Sequence, residues 1–237
     1  MRVGIFIQVR LGSTRLPRKA TLPLPGGNVI QHVMRSLAAV HADVRALLTD
    51  RASAAELRPF AEIEGYAVFA GPEQDVLARY CMACREYAVG RVVRATGDNP
   101  LTSGSLAAKI LRAHEERGAD LSHYLECPLG TGVEVVEAEA LFAAERDAAA
   151  PEEHEHITTF LYRHPERFLI HEPVAPASAR FADSELPYPA GFDHVSVDTQ
   201  DDFDRVRSIF EALYVGRPLE AEQVVQWLRV QCAGGAA

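Results

Sequence analysis

Two hydrophobic rhythms take turns along the chain. Short runs rich in β-branched residues (3–9, 44–49, 67–69, 91–96 and 120–124) predict strands. Between them, stretches with apolar residues three and four apart (29–40, 54–64, 73–87 and 105–117) predict helices. This βαβ alternation predicts an α/β fold with a mostly parallel, Rossmann-like sheet flanked by helices. Past residue 124 the pattern is less regular. Strands are expected at 130–136, 168–171 and 194–197, and helices at 138–147, 152–163, 199–214 and 220–230. The Pro-, Ala- and Ser-rich stretch 173–189 reads as a loop. No repeat or linker composition interrupts the pattern, so residues 1–232 are expected to form a single domain, with 233–237 a frayed tail.

Charge gives this framework a direction. The chain is acidic, with 24 Lys and Arg against 33 Asp and Glu and a formal charge of −9. That balance argues against nonspecific binding to nucleic acid or to an anionic membrane. Yet the first acidic residue is Asp43, whereas Arg2, Arg10, Arg15, Arg18, Lys19 and Arg35 precede it. Most of this positive charge lies in RLGSTRLPRK, residues 10–19, just after the first predicted strand. A basic loop with glycine and hydroxyl residues between a strand and a helix suits a polyphosphate. Lys19 stands out because the only other lysine is Lys109, and an ammonium is a compact charge that can follow a phosphate. The N-terminal apolar run is too short for a signal-peptide core, and no segment reaches membrane-spanning length, so a cytoplasmic location is expected.

Three predicted strands end in residues with chemistry to offer, and ligands of open α/β sheets bind beyond the carboxyl ends of strands. The first runs into the basic loop. The run RVVRAT leads into Gly97-Asp98-Asn99-Pro100, and HVSV leads into Asp198-Thr199. Asp98 and Asp198 converging opposite the basic loop would suit a Mg²⁺ ion bridging protein and phosphates. Each also has a local reading: Asp98 as a turn cap before Pro100, Asp198 as the N-cap of the following helix. The loop is not a Walker A motif and not G-x-G-x-x-G, which disfavours a kinase or a dinucleotide oxidoreductase. Cys81 and Cys84 form a C-x-x-C inside a helical pattern, and no second such pair exists to complete a metal site, so reduced thiols on a packed helix face are expected.

At this point the motifs resemble a known family. QVRLGSTRLPRK, LTD at 48–50, GPEQDVLARY at 71–80, RATGDNPL at 94–101, GVEV at 132–135, EHIT at 155–158 and SVDTQDDF at 196–203 resemble the CMP-sugar-acid synthetase group of cytidylyltransferases, nearest to its spore-coat-polysaccharide branch. The resemblance implies a nucleotide-diphosphosugar-transferase-like fold and transfer of CMP from CTP with release of pyrophosphate. It places Arg10, Gly12, Ser13, Arg15 and Lys19 on the triphosphate loop, with Lys19, Arg10 and Arg15 as the catalytic cations. It makes Asp98 and Asp198 the Mg²⁺ ligands, Asp98 also facing the nucleotide, and it implies a homodimer.

The chain departs from that pattern in two places. Pro17-Arg18-Lys19 stands where sugar-activating members usually have Pro-Gly-Lys, and Leu129 and Gly132 replace two carboxylates of a P-D-G-L-D-V-E run. One cation is gained and two carboxylates are lost, which favours a small anionic acceptor, such as phosphonoformate in phosphonate biosynthesis, over a sugar acid. Arg18 is the expected acceptor-binding residue, with His156 as a second one. His154 and His156 lie two apart, which does not put both on one helix face, so a shared metal is not expected. Two other classes compete: a glycosyltransferase using a finished nucleotide sugar, which would normally carry Asp-x-Asp where Gly97-Asp98-Asn99 stands, and a non-catalytic nucleotide-binding module, which would need no metal pair.

Overall fold

The computed structural model describes residues 1–180 and 194–234. Strand β1 (Val3–Gln8) leads through the basic loop to a small hairpin, β2 (Pro23–Leu24) and β3 (Gly27–Asn28), and helix α1 (Val29–Ser36). Then follow β4 (Val44–Asp50), α2 (Arg51–Ile63), β5 (Ala67–Gly71), α3 (Val76–Tyr87), β6 (Arg91–Thr96), α4 (Gly104–Arg117) and β7 (Leu121–Ser122). The second half contributes β8 (Glu134–Glu137), α5 (Ala138–Asp147), α6 (Pro151–Glu155), α7 (Thr159–Arg163), β9 (Ile170–His171), α8 (Gln200–Leu213) and α9 (Ala221–Gly234).

Among the described residues, seven strands form one sheet in the order β5-β4-β1-β6-β8-β7-β9. The first four are parallel, and Gln8 lies level with Leu48 on one side and Thr96 on the other, so their carboxyl ends share one edge. β8 then runs antiparallel to both β6 and β7. Along β1, Ile5 and Ile7 join one core layer with Ile30, Met34 and Ile110, while Phe6 joins the other with Leu77, Tyr80 and Leu141. That is the two-residue period of a strand buried on both faces. A third cluster seats Val195, Val197, Phe203 and Phe210 against Leu24, Val29 and Leu101, fastening the C-terminal helices to the rest.

Side-chain caps start five of the described helices. Asn28, Asp50, Asp75, Ser103 and Thr199 each accept a backbone N–H from the first turn of α1, α2, α3, α4 and α8. Thr199, not Asp198, caps α8, and the Asp202 carboxylate reaches back to the N–H groups of Asp198 and Thr199 at 3.1 and 2.8 Å. Buried His114 ties α4 to two strands, meeting Ser122 Oγ at 2.8 Å and Glu137 Oε1 at 2.9 Å.

Several expectations are corrected. The periodicity of 29–40 outlasts α1, because Leu37 and Val40 still face the core from a turn. The helix expected at 152–163 is two, α6 and α7, broken at His156. Residues 130–133 form a loop ahead of β8. There Gly130 has φ +101°, and a Cβ on it would lie 2.9 Å from the Ser196 nitrogen. Residues 194–197 are not a strand: His194 makes a single bridge to Leu129, and Val195 and Val197 donate their N–H groups to Leu129 O and Asp98 O, both at 2.8 Å. Ala233 and Gly234 fall within α9; residues 235–237, and the part of the expected loop 173–189 beyond 180, lie outside the described residues. Cys81 and Cys84 are buried on α3, and burial pushes both thiols far up, Cys84 to about 12, which keeps them protonated and inert.

Candidate active site

A cleft of about 750 Å³ opens beyond the carboxyl ends of β1 and β6. Its floor carries Gln8 and Val9 from β1 and its exit, and Thr96, Gly97 and Asp98 from the end of β6 and the turn after it. One wall is the basic loop, which contributes Arg10, Ser13, Thr14, Arg15 and Lys19. The loop is anchored at its start by Val9 N–H to Leu48 O (3.0 Å) and Leu11 N–H to Ser53 Oγ (3.0 Å), and closed by Arg18 N–H to Leu11 O (3.2 Å). A single turn of 3-10 helix at Lys19–Thr21 then sets the direction of the Lys19 side chain.

Lys19 Nζ sits between the two predicted metal ligands, 2.6 Å from Asp98 Oδ2 and 2.7 Å from Asp198 Oδ1. Arg15 adds a guanidinium 3.1 Å from the same Asp198 oxygen. The two aspartates are brought together by backbone: Val197 N–H donates to Asp98 O at 2.8 Å, one residue before Asp198. Burial pushes the Asp198 carboxyl up, but the Lys19 hydrogen bond and charge, with Arg15, outweigh it and hold it below the usual carboxylate range. Neither aspartate is spent on a cap: Thr199 starts α8, and the turn after β6 is closed by Asn99 N–H to Thr96 O. Among the described residues no group of three His, Cys, Asp or Glu could hold a metal. Two hard carboxylate oxygens that already share one compact cation are nonetheless a fitting donor set for Mg²⁺, which takes one or two carboxylates and completes its shell with phosphate oxygens and water.

The opposite wall comes from Glu73, Gln74, Asp75, Val76 and Arg79 and from Pro151, His154, Glu155 and His156. Arg79 is only 3% exposed and its stem wraps Gly71, where a Cβ would come within 2.8 Å. Its Nη1 donates to Pro72 O at 2.7 Å, its Nε has no hydrogen-bond partner, and no carboxylate pairs with it among the described residues. Burial lowers the pKa of this guanidinium, and the charges of Asp50 and Asp75 only partly oppose the shift. His154 Nδ1 meets Asp75 Oδ2 at 3.0 Å, joining α6 to the start of α3 within this wall. Both His154 and His156 reach the cleft because the helix ends between them, with His156 in extended backbone.

Not every expected residue joins this group. Gly12 is exposed beside the cleft, with open space where a Cβ would stand. Arg18 points away and pairs with Glu56 of α2. Its backbone is left-handed, φ 59°, which explains a family preference for glycine at this position without any reference to the acceptor. Gln8, Asp75, Arg79 and Glu155 fall within the runs that carry the family resemblance, but the sequence assigns them no role of their own, and it raises His154 only as a metal partner of His156. Gln8 ends β1, Asp75 and Arg79 lie at the start of α3, and His154 and Glu155 at the end of α6.

The family profile described as "Cytidylyltransferase" matches residues 4–212. The chain belongs to the cytidylyltransferase family. A curated relative, spore coat polysaccharide biosynthesis protein SpsF of Bacillus subtilis, is 30% identical over 214 residues, covering 87% of this chain and 85% of its own. Among solved structures, a cytidylyltransferase from Leptospira borgpetersenii superposes with a TM-score of 0.85 over 98% of this chain and 96% of that one, at 22% identity. A CMP:2-keto-3-deoxy-manno-octonic acid synthetase complexed with CTP superposes with a TM-score of 0.66 over 90% and 99%, at 14% identity. The nucleotidyltransferase fold expected from the sequence is therefore the fold observed, and this cytidylyltransferase is an enzyme.

Proposed function

We propose that this cytidylyltransferase transfers CMP from CTP to an acidic acceptor of surface-polysaccharide assembly, releasing pyrophosphate, with Mg²⁺ held by Asp98 and Asp198. The observation that carries the reading is Lys19 Nζ between those two carboxylates, beside Arg10 and Arg15, in a cleft at the carboxyl edge of the sheet. The kinship with a spore-coat-polysaccharide protein and the likeness to a synthetase seen with CTP support donor and acceptor class alike.

In this reading an acceptor oxygen attacks the α-phosphorus in line and pyrophosphate leaves, so the protein's task is alignment and charge neutralisation. Arg10, Ser13 and Arg15 hold the phosphate chain from the loop side, and Lys19 follows the charge onto the leaving group. A bound Mg²⁺ would draw charge from the phosphate oxygens and order them. Arg79 adds a buried guanidinium to the wall opposite the loop. His156 faces the acceptor, and His154, fixed by Asp75, lies next to it. The protein is proposed to work as a homodimer.

The small-phosphonate expectation loses its main support, because Arg18 pairs with Glu56 outside the cleft and only the missing carboxylates at Leu129 and Gly132 remain in its favour. Measuring pyrophosphate release from CTP against sugar acids, amino sugars and small phosphonates tests the proposal. Release is expected with a sugar acid. Turnover restricted to phosphonates would reverse the acceptor assignment, and no acceptor-dependent release from CTP at all would sink the whole reading.

A further inference from the structure

The geometry around Lys19 points to more than a phosphate contact. We propose that Lys19 masks the Asp98–Asp198 pair in the free enzyme, so that a divalent cation is taken up together with the nucleotide and not before it. This inference rests on the reading of the two aspartates as the metal ligands.

The ammonium lies 2.6 and 2.7 Å from one oxygen of each carboxylate and is only 12% exposed, so it is held inside the site. A Mg²⁺ ion needs oxygens at about 2.0–2.1 Å and cannot share that pair with an ammonium already seated between them. Arg15 strengthens the block by engaging the same Asp198 oxygen at 3.1 Å. The masked state is also the stable one: two carboxylates brought together by the Val197–Asp98 backbone bond repel each other unless a cation lies between them. A triphosphate changes the balance. Its charge draws Lys19 and Arg15 toward the loop side of the cleft, where Arg10, Ser13 and Thr14 already face it, and its oxygens supply the missing part of the metal's shell. Exchange of one cation for another keeps the aspartates neutralised throughout, and a free ion cannot occupy the site in a form that excludes CTP.

Equilibrium dialysis with Mn²⁺ as the probe tests the mask, on wild type and on Lys19→Met, Lys19→Arg, Asp98→Asn and Asp198→Asn, with and without CTP and no acceptor. Without nucleotide, Lys19→Met should retain Mn²⁺ at least 10-fold more tightly than wild type, while Lys19→Arg stays weak. With CTP, wild type should gain tight retention that both Asp→Asn variants lack. Equal retention by wild type and Lys19→Met without CTP overturns the mask and leaves the metal ligands standing. Retention of Mn²⁺ and CTP by the Asp→Asn variants at wild-type strength overturns the ligand assignment itself. Thermal melts establish that each variant is folded. Should Lys19→Met not fold, the wild type alone decides: retention independent of CTP contradicts the mask.

Discussion

Lys19 is the residue on which the site turns. Its ammonium is held by two carboxylates that arrive from segments a hundred residues apart in sequence, and deleting it removes a preorganised charge donor. Lys19→Ala should lower kcat by about 10²–10³-fold, the usual range for such a donor. Loss confined to KM for CTP would show uniform binding instead. Asp98→Asn and Asp198→Asn should each remove most activity while the melting temperature stays close to wild type. Near-normal turnover in either would return that residue to a structural role. Arg18 offers the contrast. Because it pairs with Glu56 from a left-handed backbone, Arg18→Gly should leave kcat and acceptor KM within about twofold, with any lost surface ion pair worth under about 1 kcal/mol. A selective rise in acceptor KM would restore the residue to the acceptor site.

At the scale of elements, the helices set the geometry of the cleft and also a pH dependence. α1 carries His32, buried against Phe210 and Tyr214 of the C-terminal cluster, with Nε2 3.0 Å from Pro25 O. Burial, aided by the charge of Arg35, lowers its pKa from 6.5 to about 4. An unfolded chain therefore binds a proton below pH 6.5 that the folded one refuses until about pH 4, and stability contributed by the neutral ring is lost as pH falls through that window. Urea titrations at pH 7 and pH 5 should show wild type losing about 2 kcal/mol more than His32→Gln over this interval. Equal losses would mean that the ring is protonated without penalty in the fold. The break between α6 and α7 matters in the same way, since it is what turns both His154 and His156 to the cleft.

Across the whole molecule, the parallel half of the sheet and its ligand edge were legible in the sequence, because strands buried on both faces announce themselves as continuous apolar runs. The basic loop and the two aspartates were legible too, as charge and carboxylates placed at strand ends. The remainder depends on partners that periodicity does not report. Nothing in 134–137 reveals that β8 runs antiparallel to β6, and 194–197 reads as a strand although loops bury it. The partner of Arg18 lies 38 positions away on another element. Arg79 looked like any helical arginine until Gly71 and the cleft were placed around it.

The fate of the α-phosphate tests the transfer of CMP most directly. With CTP labelled separately at the α- and γ-phosphorus and an acceptor that supports turnover, α-label should pass to the acceptor and γ-label should be recovered only in pyrophosphate. UTP, ATP and GTP should support far less transfer. Passage of the γ-label to the acceptor, or a clear preference for a purine nucleotide, would contradict it.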